Sequence, residues 1–106
     1  MLLSACATRN DIYYWGEYEP TIYKSYKSPG EYPPERQVRI LEADIEKAKS
    51  KNKPLPPGYH AHLGLMYYDL GKIDAAQREF RTEKANFPES AVLMDFFLKP
   101  TKGKKK

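Results

Sequence analysis

Two histidines separated by one residue are the side chains in this sequence best suited to binding a metal ion. His60 and His62 could both bind one metal ion if they lay on a strand. In a helix, residues two positions apart point to nearly opposite sides. The surrounding sequence predicts a helix, and no second group of metal ligands accompanies the pair. We therefore expect no metal site.

No arrangement of residues indicates catalysis. The carboxylates are scattered, and the sequence has no nucleophile elbow, phosphate-binding glycine loop or zinc-ligand spacing. No serine or cysteine stands at a recognisable spacing from a base. We expect no enzyme activity, no catalytic residue, no cofactor and no small-molecule substrate.

The single cysteine excludes an internal disulfide, and its position suggests a modification. Leu3, Ser4 and Ala5 precede Cys6 as in a bacterial lipobox, where a signal peptide is cut and the cysteine thiol takes a diacylglycerol. Cys6 is thus the predicted lipidation site and membrane anchor. Three acyl chains, palmitate among them, exceed the two signals that stable anchoring needs. The alternative is a cytosolic protein with a chance cysteine.

The segments around Cys6 follow from this interpretation. Only five residues precede it and none is basic, so residues 1–5 are interpreted as the remnant of a lipoprotein signal peptide. Residues 6–12 would be a tether, and residues 13–99 the folded domain. Ala7 after the cysteine favours the outer membrane. We expect the anchored protein on the periplasmic face of that membrane.

A helical hairpin is the strongest structural signal. Pro57 to Pro88 resembles one tetratricopeptide (TPR) repeat, and its matching positions are Leu63, Gly64, Tyr67, Gly71, Ala76, Phe80 and Pro88. His60 and Glu83 depart from the usual residue types. Gly71 should end the first helix in a left-handed conformation. Asp74 is the predicted N-cap of the second helix, with Gln77 as its capping-box partner.

Two further helices are predicted before the hairpin, over about Glu17–Lys27 and Glu35–Ser50. The second should pack beside the first hairpin helix through an apolar stripe formed by Val38, Leu41, Ile45 and Ala48. The expected fold is all-α, with about five helices, TPR-like antiparallel hairpins and a single small domain.

Aromatic residues are concentrated before Pro33. Tyr14, Trp15 and Tyr18 are candidate partner-binding residues, because flat rings stack on sugar faces and would suit peptidoglycan or another glycan. Alternatively, these rings pack against the hairpin, since a small domain needs large side chains to build a core.

A last helix over residues 91–98, capped by Ser90, has Asp95 as its only polar residue. Such a helix is either covered on most sides or exposes an apolar face. Met94, Phe96 and Phe97 are therefore candidate partner-binding residues. The alternative is that the aromatic N-terminal segment folds back over this helix.

The basic character lies at the C-terminus. The net charge is +4, and removing the five lysines after Leu98 leaves −1. Residues 100–106 are predicted to be a disordered basic tail that aids solubility or touches anionic lipid. We expect no nucleic-acid partner, because the rest of the chain has no basic face with interleaved arginines.

Nearly the whole chain is similar to the small bacterial lipoproteins catalogued as domain of unknown function 4810. The resemblance is carried by Tyr14-Trp15-Gly16-x-Tyr18-Glu19, Pro57-Gly58-x-His60-Ala61-His62-Leu63-Gly64, Phe80-x-x-Glu83-Lys84 and Phe87-Pro88-Glu89-Ser90. It implies an outer-membrane lipoprotein, encoded beside a lipoprotein similar to the curli secretion channel. It implies no catalytic residues.

These observations favour a lipid-anchored adaptor or scaffold lipoprotein of the cell envelope. It would bind a partner protein, for example as an accessory of an outer-membrane secretion or surface-assembly complex. A glycan-binding module that uses the N-terminal aromatics is the first alternative. A cytosolic TPR-like adaptor is the second, if the lipobox is fortuitous.

Overall fold

Helices follow one another along the chain with short connections. The computed structural model describes residues 12–99, and within this part the chain forms five α-helices and no strand. The α-helices are α1 (Tyr18–Lys27), α2 (Pro34–Ser50), α3 (Tyr59–Asp69), α4 (Ile73–Asn86) and α5 (Ala91–Leu98). Short 3₁₀ turns precede α2 and α5, at Pro29–Glu31 and Pro88–Ser90. The all-α prediction is confirmed, and no helix in the described part is long and apolar enough to cross a membrane.

Helices α3 and α4 form an antiparallel hairpin. Gly71 lies in the turn with a φ of 80°, as predicted for the residue that ends α3. Gly64 faces the ring of Phe80, so the two helices approach closely where α3 lacks a side chain. The hairpin is confirmed as a structure, whereas its assignment to the TPR class stays an interpretation of the sequence pattern.

Helix α3 is packed on two sides, because α2 lies against the side that α4 leaves free. The Tyr59 hydroxyl donates a hydrogen bond of 2.6 Å to the Leu41 carbonyl of α2. Leu41, Tyr59 and Leu63 have no measurable exposure. This packing of α2 beside α3 confirms the prediction. The buried apolar core consists of Tyr18, Val38, Leu41, Tyr59, Leu63, Tyr67, Ala76, Phe80 and Met94.

Helix α1 is attached to this core at its first turn. The Tyr18 ring lies 5.0 Å from the Tyr59 ring, measured between centroids. The buried carboxylate of Asp44 in α2 accepts a 2.6 Å hydrogen bond from the Glu17 backbone N–H. Asp44 therefore satisfies a free donor at the start of α1, as a helix-capping side chain would.

One predicted N-cap is wrong, and a second is correctly placed but makes no capping bond. Helix α4 begins at Ile73, and Lys72 occupies the N-cap position without a side-chain hydrogen bond. The Lys72 carbonyl already accepts the first intrahelical bond, from the Ala76 N–H, so Asp74 lies inside the first turn. Ser90 does precede α5, but its hydroxyl donates to the Phe87 carbonyl at 2.6 Å and makes no capping bond to α5.

Candidate protein-interaction surfaces

Helix α5 divides its apolar residues between the core and the surface. Met94 is 1% exposed, and the Phe97 ring stacks on Phe80 of α4 with 5.0 Å between centroids. The opposite side has no such cover, and its exposed fractions are 86% for Val92, 53% for Leu93 and 63% for Phe96. We call Val92, Leu93 and Phe96 the α5 outer face. Exposed apolar side chains that adjoin one another mark an interaction site more often than scattered ones do.

This surface continues onto the hairpin. A groove of about 310 Å³ beside Phe96 is lined by Leu65, Tyr68, Phe80, Phe97 and Lys99. The Tyr68 side chain is 49% exposed, so α3 also contributes an aromatic ring. The apolar surface therefore extends beyond a single helix.

Cations border α5 on both sides. Lys99 lines the groove beside Phe96 and a second one beside Val92. On the other edge, the Lys84 ammonium donates to the Asp95 carboxylate at 2.6 Å. Arg81 and Lys84 also line a groove with Leu98. The charged groups beside the α5 outer face are therefore the Lys99 ammonium and the Lys84–Asp95 ion pair.

A larger groove, of about 530 Å³, lies between α1 and α3, and we call it the α1–α3 groove. It is lined by Tyr18, Ile22, Ser25, Tyr26, Pro29, Tyr32, Pro33, Pro34, Gln37, His62, Leu65, Met66 and Asp69. Tyr18 in the first turn of α1 packs on Tyr59 of α3, whereas Ile22, Ser25 and Tyr26 of its later turns line the groove. This groove was not predictable from the sequence, since its walls come from two stretches of the chain, residues 18–37 and 62–69.

A chain of hydrogen bonds fixes the polar end of the α1–α3 groove. The Gln37 amide nitrogen donates to the Tyr32 carbonyl at 2.7 Å. The Gln37 carbonyl oxygen lies 2.7 Å from His62 Nε2, which must then carry the proton and donate. Burial lowers the pKa of His62, while Asp69 opposes this shift. His62 is therefore neutral at pH 7.

The N-terminal aromatic candidates pack mainly against the rest of the fold. The Tyr18 ring, 9% exposed, lies between Trp15 and Tyr59, at 6.4 Å and 5.0 Å between centroids. Trp15 and Tyr14 are half-buried, and the Tyr14 N–H donates to the Pro54 carbonyl at 2.8 Å. Stacking on a sugar needs an open ring face, and Tyr18 has none. The geometry of these rings favours the core interpretation.

The three partner-binding candidates of α5 differ in how far they are buried. Met94 is a core residue, which corrects its assignment to a docking surface: its side chain packs inward where α5 meets α4. Phe97 is half-buried, and Phe96 is exposed. The outer face of α5 is not covered by the N-terminal aromatics as the alternative required, since Tyr13 contacts Phe87 and Trp15 contacts Tyr18.

The Glu83 side chain caps the start of α3, at Gly58. Its carboxylate is 3% exposed and accepts hydrogen bonds from the backbone N–H groups of Gly58 at 2.8 Å and Ala61 at 3.2 Å. These groups lie at the start of α3, where donors lack intrahelical partners. Gly58 has a φ of 92° and no side chain to cap its own helix. Glu83 of α4 thus caps α3 from across the hairpin.

His60 also has a structural partner. Its Nδ1 lies 2.7 Å from the Glu79 carboxylate of α4. His60 and His62 therefore contact different helices, as expected for residues two positions apart. In the described part of the chain, no group of three or more His, Cys, Asp or Glu side chains is placed to hold a metal ion.

Some of the predicted features lie outside the described residues. They are the lipidation candidate Cys6, the segments 1–5 and 6–11, and the tail 100–106.

The fold and surfaces define a small helical-hairpin protein with an exposed apolar helix and a separate aromatic groove. The family described as Domain of unknown function (DUF4810) matches residues 12–97, and the chain belongs to this family. Neither a curated protein nor a solved structure matches the chain.

Proposed function

We propose that this protein is an adaptor that binds a partner protein through the α5 outer face. The observation that carries the proposal is the exposure of Val92, Leu93 and Phe96 on a helix whose other side is anchored in the core. In stacked helical hairpins, each helix buries its apolar face against the next, and a terminal helix is normally polar on its outer side. Helix α5 has the apolar outer side of a helix with a missing neighbour.

The surface fits an amphipathic helix of the partner. Helix α5 has eight residues and spans about 12 Å, so it matches two turns of a docking helix. Lys99 on its border would pair with a carboxylate that flanks the partner's apolar stripe. The groove beside Phe96 would take one large apolar side chain from that helix.

We further propose that the adaptor works in the bacterial cell envelope, tethered by a lipid on Cys6 to the periplasmic face of the outer membrane. The lipobox-like residues before Cys6 support the anchor. A place beside an outer-membrane secretion or surface-assembly complex suits a lipoprotein whose folded part offers a docking helix. The partner is then an envelope protein.

The interface is tested by a charge-introducing pair of substitutions, Val92→Glu with Phe96→Glu. Both side chains are exposed, so the variant should fold, and circular dichroism checks this. The matched control is Tyr23→Glu with Ile73→Glu, two exposed apolar residues away from α5. A photo-crosslinking residue at Leu93 identifies the partner in cells, and the contacted peptide is mapped by mass spectrometry.

We expect the crosslink to fall on an amphipathic helix, and co-purification of that protein to be lost in the α5 variant and retained in the control. Equal co-purification by both variants would remove the α5 outer face as the interface. A crosslink to a segment without an amphipathic pattern would refute the proposed partner chemistry.

The anchor is tested separately by the intact mass of the protein expressed from its native upstream region, with and without Cys6→Ser. We expect acyl mass on Cys6 that the variant lacks. An unmodified chain that starts at Met1 would refute the anchor and favour a cytosolic adaptor.

Sedimentation with purified peptidoglycan tests the glycan alternative. That alternative requires the protein to co-pellet with peptidoglycan and the Trp15→Ala variant to stay in solution.

A further inference from the structure

The α1–α3 groove has the length of a short peptide. Its walls are one face of α1, including Ile22 and Tyr26, and one face of α3, including His62 and Asp69. The lining positions run from residue 18 to 26 on α1 and from residue 62 to 69 on α3. At a rise of about 1.5 Å per residue, the groove runs for about 12 Å. An extended polyproline II segment advances about 3 Å per residue, so about four residues would fill this length.

The lining is apolar and aromatic, with few unoccupied polar groups. Ile22, Leu65 and Met66 supply aliphatic surface, while tyrosines and prolines supply rigid flat surface along the connection from α1 to α2. Tyr26 is 82% exposed, so its ring is available to a ligand. The Gln37 amide and His62 Nε2 are already hydrogen-bonded, which leaves the exposed Tyr26 hydroxyl and Asp69 carboxylate for polar contacts with a ligand.

The charge of the residues that line the groove favours a peptide with a basic side chain. Asp69 is the only ionised side chain among the lining residues, because the half-buried His62 has a lowered pKa and donates through Nε2 to Gln37 as a neutral imidazole. No lysine or arginine of the described part is among the lining residues, although the Arg36 guanidinium lies 4.2 Å from the centroid of the Tyr32 ring and donates to the Glu31 carbonyl. Asp69 lies at the end of α3, so a basic side chain of a bound segment would meet it there.

We propose that the α1–α3 groove binds an extended, proline-containing segment of a partner protein, with one lysine or arginine of that segment paired to Asp69. Aromatic-lined grooves suit such segments, because a polyproline II chain is already extended and loses little conformational entropy on binding. The site does not depend on the α5 outer face. A chain with both surfaces could hold two segments at once.

The test is a solution NMR titration of the isotope-labelled protein with three probes. The first is an end-blocked pentapeptide of proline with a central arginine, and the second has glutamate in place of that arginine. The third is a neutral tetramer of N-acetylglucosamine. The signals of the Met66 methyl group and the His62 ring report on the groove from its aliphatic and polar parts.

Two variants and two matched controls locate the binding. Asp69→Lys reverses the charge, and Tyr26→Ala removes the exposed ring. Their controls are Glu46→Lys, an exposed acidic residue of α2, and Tyr23→Ala, an exposed tyrosine of α1 that does not line the groove. All four positions are exposed, so we expect native circular dichroism spectra.

We expect the arginine peptide to shift both reporter signals and to bind more tightly than the glutamate peptide. Asp69→Lys should weaken it by about fivefold or more and Tyr26→Ala by about threefold, as loss of an exposed ion pair and of an aromatic contact predict. The controls should bind like the original protein. Equal binding of the two peptides, equal loss in the controls, shifts with the sugar alone, or no shifts at all would each overturn the proposal.

Discussion

A single side chain, Glu83, sets how α3 begins. Gly58 adopts a left-handed conformation and has no side chain to accept hydrogen bonds from the first turn. The Glu83 carboxylate takes that role from α4, and its negative charge also suits the positive end of the α3 dipole. The bond therefore ties the start of α3 to the side of α4.

Glu83→Ala should lower the free energy of unfolding by about 1–3 kcal/mol, because the two backbone donors lose a charged and buried acceptor. Glu83→Gln should have a smaller effect, since it keeps one acceptor oxygen but loses the charge. Urea denaturation followed by circular dichroism measures both. Glu89→Ala, at an exposed position, is the control and should change stability by less than about 0.5 kcal/mol. Equal stability of Glu83→Ala and this control would contradict the capping role.

The sequence indicated that Glu83 departs from the residue type usual at its position in the repeat, but it did not reveal its partners. Capping patterns are local, whereas the donors of Gly58 and Ala61 are 25 and 22 residues away. Asp44 escaped prediction for the same reason, since it accepts from Glu17, 27 residues away. Such contacts appear only when the packing of the helices is known.

At the scale of the elements, the α3–α4 hairpin depends on one small residue. A Cβ atom added to Gly64 would lie 2.5 Å from the Phe80 ring. Phe80 cannot easily move away, because it is 3% exposed and stacked on Phe97 of α5. Any side chain at position 64 must therefore displace α4 or disturb the packing of α5.

Gly64→Ala should destabilise the protein by about 1–3 kcal/mol through overpacking, despite the better helix propensity of alanine. The double variant with Phe80→Leu should recover part of this loss, because a smaller side chain then faces the new methyl group. Thermal and urea unfolding measure both. Gly30→Ala is the control, since a Cβ there meets nothing within 4 Å. A Gly64→Ala protein as stable as this control would show that the hairpin can adjust freely.

The helix bounds were predictable to within a residue or two, since prolines and glycines mark the connections and apolar periodicity marks the faces. The side-chain caps of α4 and α5 were harder to predict. Asp74 and Ser90 are residues that favour N-caps, but Lys72 provides the first carbonyl of α4 and the Ser90 hydroxyl bonds backward to Phe87. Residue type alone does not fix which direction a short polar side chain takes.

At the scale of the whole molecule, both candidate surfaces result from helices that are packed on only part of their circumference. Helix α5 is apolar on nearly every side, so its sequence could not tell the inner Met94 from the outer Phe96. The α1–α3 groove depends on the angle at which α1 leaves the hairpin. These features are set by tertiary packing, and the sequence predicted only that an apolar face of α5 would need a cover.

Tyrosines connect the helices of the core. Tyr59 in α3 donates to Leu41 of α2, Tyr67 in α3 donates to the Glu42 carboxylate of α2, and Tyr18 of α1 packs on Tyr59. Burial is the main cause that raises the pKa of all three hydroxyls, to about 12 for Tyr18. Each hydroxyl is therefore kept protonated in the folded protein, beyond the pH at which an exposed tyrosine ionises.

This arrangement makes stability depend on alkaline pH. In the unfolded chain a tyrosine ionises near its ordinary pKa of about 10, while burial in the fold opposes ionisation. The unfolded state thus loses protons first, and the free energy of unfolding should fall as pH rises above about 10.

Tyr59→Phe should lower the free energy of unfolding by about 1 kcal/mol at neutral pH, because the hydrogen bond is lost. Between about pH 9 and 11, the free energy of unfolding of this variant should then fall less than that of the original protein. Urea unfolding at a series of pH values measures this, with exposed Tyr23→Phe as the control. Parallel pH curves for Tyr59→Phe and the original protein would mean that the Tyr59 hydroxyl does not couple ionisation to unfolding.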